Sequence, residues 1–270
     1  MTYTLRGSVA QCEVPLVVHV PHASRLVPPD IRADILLTDA ELEVELERVT
    51  DHDVDVLFEP VIALNGVMLV NRYSRLVVDP ERFRADEEEP AAAFGAGAVY
   101  SKTCDGALLR DPDRYPILRE ELLQRYYDPY VAAVQACVQE MLARFGLCLI
   151  IDAHSYPQGP LPWEQSPAGD RPQIDFGTDP FHTPTDLLDL LQSEVSSSGY
   201  SVVLNSPFAG TYVPTAFYRR DRRVKSVMIE VRRDVYRGCS GARRRETFDL
   251  IARLLRKAHS WLTDVLSSDV

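Results

Sequence analysis

The stretch LIIDAHSYP, residues 149–157, opens with apolar Leu149, Ile150 and Ile151 and then delivers Asp152, His154 and Ser155. A short apolar, β-branched run of this kind reads as a buried strand. A carboxylate, an imidazole and a hydroxyl at its carboxyl end then call for partners, because buried polar groups are costly alone.

Working outward, other short strands recur at PLVVHV (15–20), GVMLVN (66–71), SRLVVD (74–79), YSVVLN (200–205) and VKSVMIEV (224–231). Between them, residues 38–58, 117–145, 185–198 and 243–266 carry apolar positions three and four apart, the helical period. Thr38 followed by Glu41 is a capping-box pattern, and Pro184-Thr185-Asp186 suits another helix start. Strands alternating with helices predict an α/β layered fold around a mixed, largely parallel sheet. Residues 84–97 and 157–184 read as long loops placed to cover a site. Neither is a linker, so residues 1–270 are expected to form a single domain.

In an open α/β sheet, ligands bind beyond the carboxyl ends of the strands. Those ends deliver His22, then Arg75, Asp79 and Arg82, then Asp152 and His154, while Glu230 interrupts an apolar strand. A helical segment adds Asp51, His52, Asp53 and Asp55. Two histidines and one carboxylate make a three-ligand zinc site with an open position for water. Glu230 is the candidate general base, since an unpaired charge in an apolar strand needs a cation; an arginine such as Arg232 or Arg75 would be its structural alternative. His19 reads as a core residue and His52 as a surface residue or one standing behind the ligands, with no role for His182 or His259. GxSxG, GxxxxGK[ST] and GxGxxG motifs are absent. Cys239, near arginines, is a weaker nucleophile candidate.

A net charge of -11 argues against nucleic-acid or anionic-membrane partners. The locally basic run around Arg219 to Lys225 is read as solvated surface or as attraction for an anionic substrate. Five scattered cysteines without a CxxC pair make neither a disulfide framework nor a thiolate zinc site. With no signal segment and no long apolar run, the expectation is a cytoplasmic protein with no membrane span. Oligomeric state has no signature in the sequence.

Six ordered motifs, VVHVPHAS, VTDHDVDVLF, NRYSRLVVDPER, GAVYSKTCDGALLR, IDAHSYP and VMIEVRRDVYRG, together resemble the N-formylglutamate amidohydrolase family over roughly residues 15–240. The resemblance implies a three-layer sandwich, similar to zinc carboxypeptidases and aspartoacylases (phosphorylase/hydrolase-like), with helices on both faces of the sheet. It also implies zinc-dependent hydrolysis of an N-formyl or other N-acyl amino acid, N-formyl-L-glutamate to formate and L-glutamate first, in histidine catabolism. Carried over by position, His22, Asp51 and His154 are the metal ligands, with Asp53 or Asp55 as alternative acids. Glu230 is then the base acting on a zinc-activated water, and Arg75 stabilises the oxyanion. Arg82, Arg72 and Arg223 bind substrate carboxylates, and Asp152 and Asp79 orient the ligands. The family's DLNRP reads DPERF here, placing Glu81 where the family has Asn. The alternatives are a zinc amidohydrolase of the same fold acting on another N-acyl amino acid or small peptide, and an inactive binding protein for small carboxylates.

Overall fold

The computed structural model describes residues 1–162, 164, 171–238 and 241–268. Its strands are β1 (Tyr3–Arg6), β2 (Leu16–Val20), β3 (Val67–Asn71), β4 (Cys148–Tyr156), β5 (Ile174–Gly177), β6 (Val202–Leu204) and β7 (Val224–Arg232). They form one mixed sheet in the order β1-β3-β2-β4-β7-β5-β6. The pairs β3–β2, β2–β4, β4–β7 and β5–β6 are parallel, while β1–β3 and β5–β7 are antiparallel. The helices are α1 (Pro29–Arg32), α2 (Asp39–Val49), α3 (Val54–Leu57), α4 (Tyr115–Leu122), α5 (Asp128–Phe145), α6 (Thr185–Ser197), α7 (Arg233–Tyr236) and α8 (Arg245–Ser268).

Alternation along the strands separates two cores. Leu16, Val18, Leu149, Ile151, Val227 and Ile229 pack with Leu191 of α6 and Leu254 of α8. Val17, Cys148, Ile150 and Val224 pack with Val134, Val138 and Met141 of α5 on the other face. The period of two in β4 therefore puts Asp152 and His154 on the α5 side, in step with Cys148 and Ile150. Leu149, at the centre of the sheet, has no exposed surface. Replacing it with alanine is expected to cost about 2–5 kcal/mol, read as a lower urea midpoint at unchanged slope.

Four expectations need correction. Residues 74–79 are not a strand: Val77 N–H bonds Ser74 O at 2.8 Å and Asp79 N–H bonds Ala98 O at 2.8 Å. Both edges of β3 are already paired, by β1 and β2, so the apolar Leu76, Val77 and Val78 fill local clusters instead. Residues 38–58 are not one helical segment. The capping box on Thr38 starts α2, but the chain leaves the helix at Thr50 and turns through Asp53 at a left-handed φ of 58°. β5 lies inside the expected 157–184 loop, and the expected 84–97 loop contains a short 3-10 helix at Pro90–Phe94. β1 also went unforeseen; it is short, and its inner residues are exposed. In the long helical stretch, Pro129 has no N–H to give the ladder, and the chain passes it after a π-turn at Leu123–Tyr127.

Among the described residues, no helix is long and apolar enough to cross a membrane. Cys12, Cys104, Cys137 and Cys148 are free and buried, and Cys239 lies outside the described residues.

Candidate active site

Three strands deliver the central side chains. His22 follows β2, and its loop is tied down where Asn71 donates to Pro21 O at 3.0 Å. His154 and Glu230 are register partners across β4 and β7. Asp51 sits in the break between α2 and α3, where its N–H bonds His22 O at 3.0 Å. The break in the helical stretch thus places this acid beside the histidines.

The two imidazoles and Asp51 meet in a triangle. His22 Nδ1 and His154 Nδ1 are 3.3 Å apart, and Asp51 Oδ2 lies 3.1 Å from His154 Nδ1 and 3.6 Å from His22 Nδ1. Nitrogen and oxygen ligands about 2.0–2.1 Å from a tetrahedral zinc would stand about 3.3 Å apart, so the donor set fits that ion. The outer nitrogens face acids. His22 Nε2 is 2.8 Å from Asp79 Oδ1, and His154 Nε2 is 3.1 Å from Asp152 Oδ1 and 2.9 Å from Glu81 Oε1. Carboxylates only accept, so each Nε2 carries a proton, and with a metal at the triangle each Nδ1 would offer it a lone pair. Two ring nitrogens and a carboxylate converging in a buried space need a cation. Ligand atoms of His22, Glu81 and His154 also fall within 4.8 Å of one another. The Asp51 triangle is tighter, and it leaves the Nε2 hydrogen bonds intact.

Charge balance follows the same geometry. Burial would lift the Asp51 carboxyl, but the hydrogen bonds from His154 and His22 hold it well below the usual range. Burial would depress His154, yet Glu81, Asp152 and Asp51 around it raise it well above an ordinary histidine. With no metal, a proton on His154 takes the place a divalent cation would fill. Asp79 is wholly buried; against burial, Arg75 and His22 keep it ionised. It accepts from Arg75 Nη2 at 2.8 Å and from the Tyr100 hydroxyl at 3.1 Å. Asp152 accepts from His19 Nδ1 at 2.8 Å and from Tyr212 N–H at 2.9 Å.

Glu230 differs from these acids. It is buried, and its Oε2 has no hydrogen-bond partner among the described residues. Neither arginine named as its salt-bridge alternative takes it: Arg232 pairs with Asp234 and Arg75 with Asp79. Burial, the largest cause, raises its pKa well above the usual range, and Asp51, Glu81 and Asp175 add to the rise against the opposing pull of His154.

A cavity of about 520 Å³ opens over this cluster, lined by His22, Asp51, His154, Glu230, Arg75 and Arg82 among others. Arg72 and Arg223, expected as substrate ligands, are corrected: neither lines it. Arg72 is exposed and reaches Met1 O at 3.4 Å, while Arg223 precedes β7, at the amino ends of the parallel strands, and bonds Asp221. Asp53 and Asp55 face other arginines, Arg243 and Arg6. The Ser155 hydroxyl accepts from Tyr236 at 2.9 Å. His19 is a buried residue that supports Asp152, and His52 is not at the surface but buried, bonding Glu47 O at 3.1 Å. Sequence reasoning missed Arg233, 3.6 Å from Asp51 and only three residues after Glu230, and Tyr100, which had no local signal.

Comparison with known proteins places the chain in a family. The family model described as N-formylglutamate amidohydrolase matches residues 14–237. N-formylglutamate deformylase of Pseudomonas aeruginosa is 26% identical over 230 residues, covering 83% of this chain and 82% of the relative. That of Pseudomonas putida is 26% identical over 239 residues, covering 85% and 84%. The crystal structure of N-formylglutamate amidohydrolase from Ralstonia eutropha superposes with a TM-score of 0.81 at 24% identity, covering 97% of this chain and 99% of that one. A gene product of Agrobacterium tumefaciens gives 0.70 at 18%, covering 99% and 95%; these two likenesses speak to the fold. A family match over most of the length, on a chain whose quoted motifs assemble one buried cluster, settles the affiliation: this chain belongs to the N-formylglutamate amidohydrolase family.

Proposed function

We propose that the protein hydrolyses the amide bond of an N-formyl or other N-acyl amino acid, with one divalent metal, zinc first, held by His22 Nδ1, His154 Nδ1 and Asp51 Oδ2. The observation that carries this is the triangle of His22 Nδ1, His154 Nδ1 and Asp51 Oδ2 next to buried Glu230, whose Oε2 has no partner among the described residues. The names of the relatives add the substrate to try first, N-formyl-L-glutamate.

Zinc in that position supplies a lowered pKa for water and polarises a carbonyl oxygen. Glu230 takes the proton from the attacking water and returns it to the departing amine nitrogen. Its raised pKa strengthens it as a base in the first step, and a divalent cation at the triangle would draw it back toward the ionised form that this step needs. Asp79 and Asp152 hold the Nε2 protons of the histidines and so keep Nδ1 free. Arg75, fixed by Asp79, stands by to share the negative charge that develops on the carbonyl oxygen. Arg82 binds the substrate carboxylate, a task suited to a guanidinium fork.

Formate or acid release from a panel of N-formyl and N-acetyl amino acids tests the reading. Turnover that is lost with a chelator and restored by zinc is expected. Binding without turnover, in protein that takes up no metal, would favour a binding protein instead.

A further inference from the structure

We infer that Arg233 is a positioning residue for the metal site: from the short helix α7 it brackets the turn that carries Asp51 and fixes that acid against the two histidines and Glu230. The inference rests on the hydrolase reading above and adds what holds the ligand with the weakest frame of its own.

The three ligands are not held alike. His154 lies inside β4, a strand bonded to β2 on one side and to β7 on the other. His22 follows β2, and its loop is tied by Asn71. Asp51 has no such frame. α2 ends at Val49, Asp53 is left-handed, and α3 begins only at Val54. Its N–H reaches His22 O at 3.0 Å, and its carbonyl takes a longer bond from Val54 N–H at 3.3 Å. Metal–ligand distances tolerate only about 0.2 Å of error, so a turn of this kind needs outside support.

Arg233 supplies that support. The last carbonyls of a helix lack intrahelical donors, and a cation there also meets the negative end of the helix dipole. Arg233 Nη1 donates to two of them in α2, Glu47 O at 3.2 Å and Arg48 O at 2.9 Å. Its Nη2 then stands 3.6 Å from Asp51 Oδ1, which leaves Oδ2 to the triangle. Among the described residues, Asp51 is the one acid within ion-pair distance of this guanidinium. A planar fork spans the helix end and the carboxylate together, which a single ammonium does not.

α7 is itself anchored. Tyr236, one turn after Arg233, is fully buried in the core that holds Leu250 and Leu254. Its hydroxyl donates to His52 O at 2.6 Å. Arg233 and Tyr236 therefore grip the chain on either side of Asp51. Because α7 follows β7 directly, this bracket also ties the acid ligand to the strand of Glu230. Arg233 lines the cavity as well, so a substrate carboxylate is the competing assignment. Its donors favour Asp51: Nη1 is engaged by two carbonyls, and Nε is closed off from solvent.

The test compares Arg233→Met and Arg82→Met with wild type. Arg233→Met is expected to weaken zinc affinity by about 10–100-fold, the range for residues that orient a ligand. At saturating zinc it should lower kcat for N-formyl-L-glutamate while KM stays within about twofold. Arg82→Met should do the reverse, raising KM with zinc affinity kept. Arg233→Lys, which keeps the charge and loses the fork, should recover part of the zinc affinity; it also serves as the test should Arg233→Met fail to fold. Hydrogen exchange of metal-free protein separates this inference from the hydrolase reading. Peptides covering 47–54 should exchange faster in Arg233→Met than in wild type, with those covering 148–156 unchanged. That pattern in a protein that takes up no zinc would refute the metal reading and keep the bracket. Unchanged exchange over 47–54, a wild-type zinc affinity in Arg233→Met, or a raised KM with zinc affinity kept would overturn the inference.

Discussion

Glu230→Gln is expected to lower kcat by about 10²–10⁴-fold, the range for loss of a positioned acid–base group, with zinc retained at the wild-type level. The substitution is close to isosteric with the protonated acid, and burial already favours that form in the folded protein. The sign of the stability effect follows from this. In metal-free protein the folded state binds the Glu230 proton more tightly than the unfolded state does. Its contribution is therefore fully present below the ordinary pKa near 4.5 and is lost as pH rises toward the elevated folded value. Glutamine does not titrate. The variant's thermal midpoint, relative to wild type, should rise as pH rises above about 4.5. A variant that loses activity and is also destabilised at neutral pH would argue for a structural Glu230 instead of a proton carrier.

Asp51→Asn is expected to abolish stoichiometric zinc binding and, with it, turnover. The effect should exceed the roughly 10–100-fold affinity loss typical of residues that only orient a ligand, the size expected of Asp152→Asn. Asp53→Asn and Asp55→Asn should keep both metal and activity, because those acids pair with Arg243 and Arg6 away from the cavity. Wild-type zinc affinity should also weaken as pH falls, since a metal at the triangle displaces the proton that surrounding acids hold on His154. Zinc titrations of the variants, followed over a pH series for wild type, read both effects. Retention of zinc in Asp51→Asn would move the acidic ligand elsewhere, to Glu81 first.

How much of this was legible in the sequence depended on the range of the interactions. Apolar runs at 15–20, 66–71 and 224–231 give strands, because burial on both faces is written into each residue. The run at 74–79 is equally apolar yet coils, since β1 already holds the free edge of β3. Nothing local to Leu76 or Val77 records that competition. His22, His154 and Glu230 stood out because strand ends are where such groups gather. The choice among Asp51, Asp53 and Asp55 turned on one left-handed residue that breaks the helix. Arg72 and Arg223 were read as reaching the substrate by residue type, and strand direction alone removes Arg223. Glu81 was visible as a departure from the family pattern, but only folding brings it 2.9 Å from His154.

The two Nδ1 atoms and Asp51 Oδ2 should together form one metal site. A zinc-soaked crystal measured on both sides of the zinc absorption edge tests it most directly. A single anomalous peak per chain is expected, in bonding contact with His22 Nδ1, His154 Nδ1 and Asp51 Oδ2. A peak on the opposite side of the imidazoles, at Nε2 and Glu81, or no peak at saturating zinc, would contradict it.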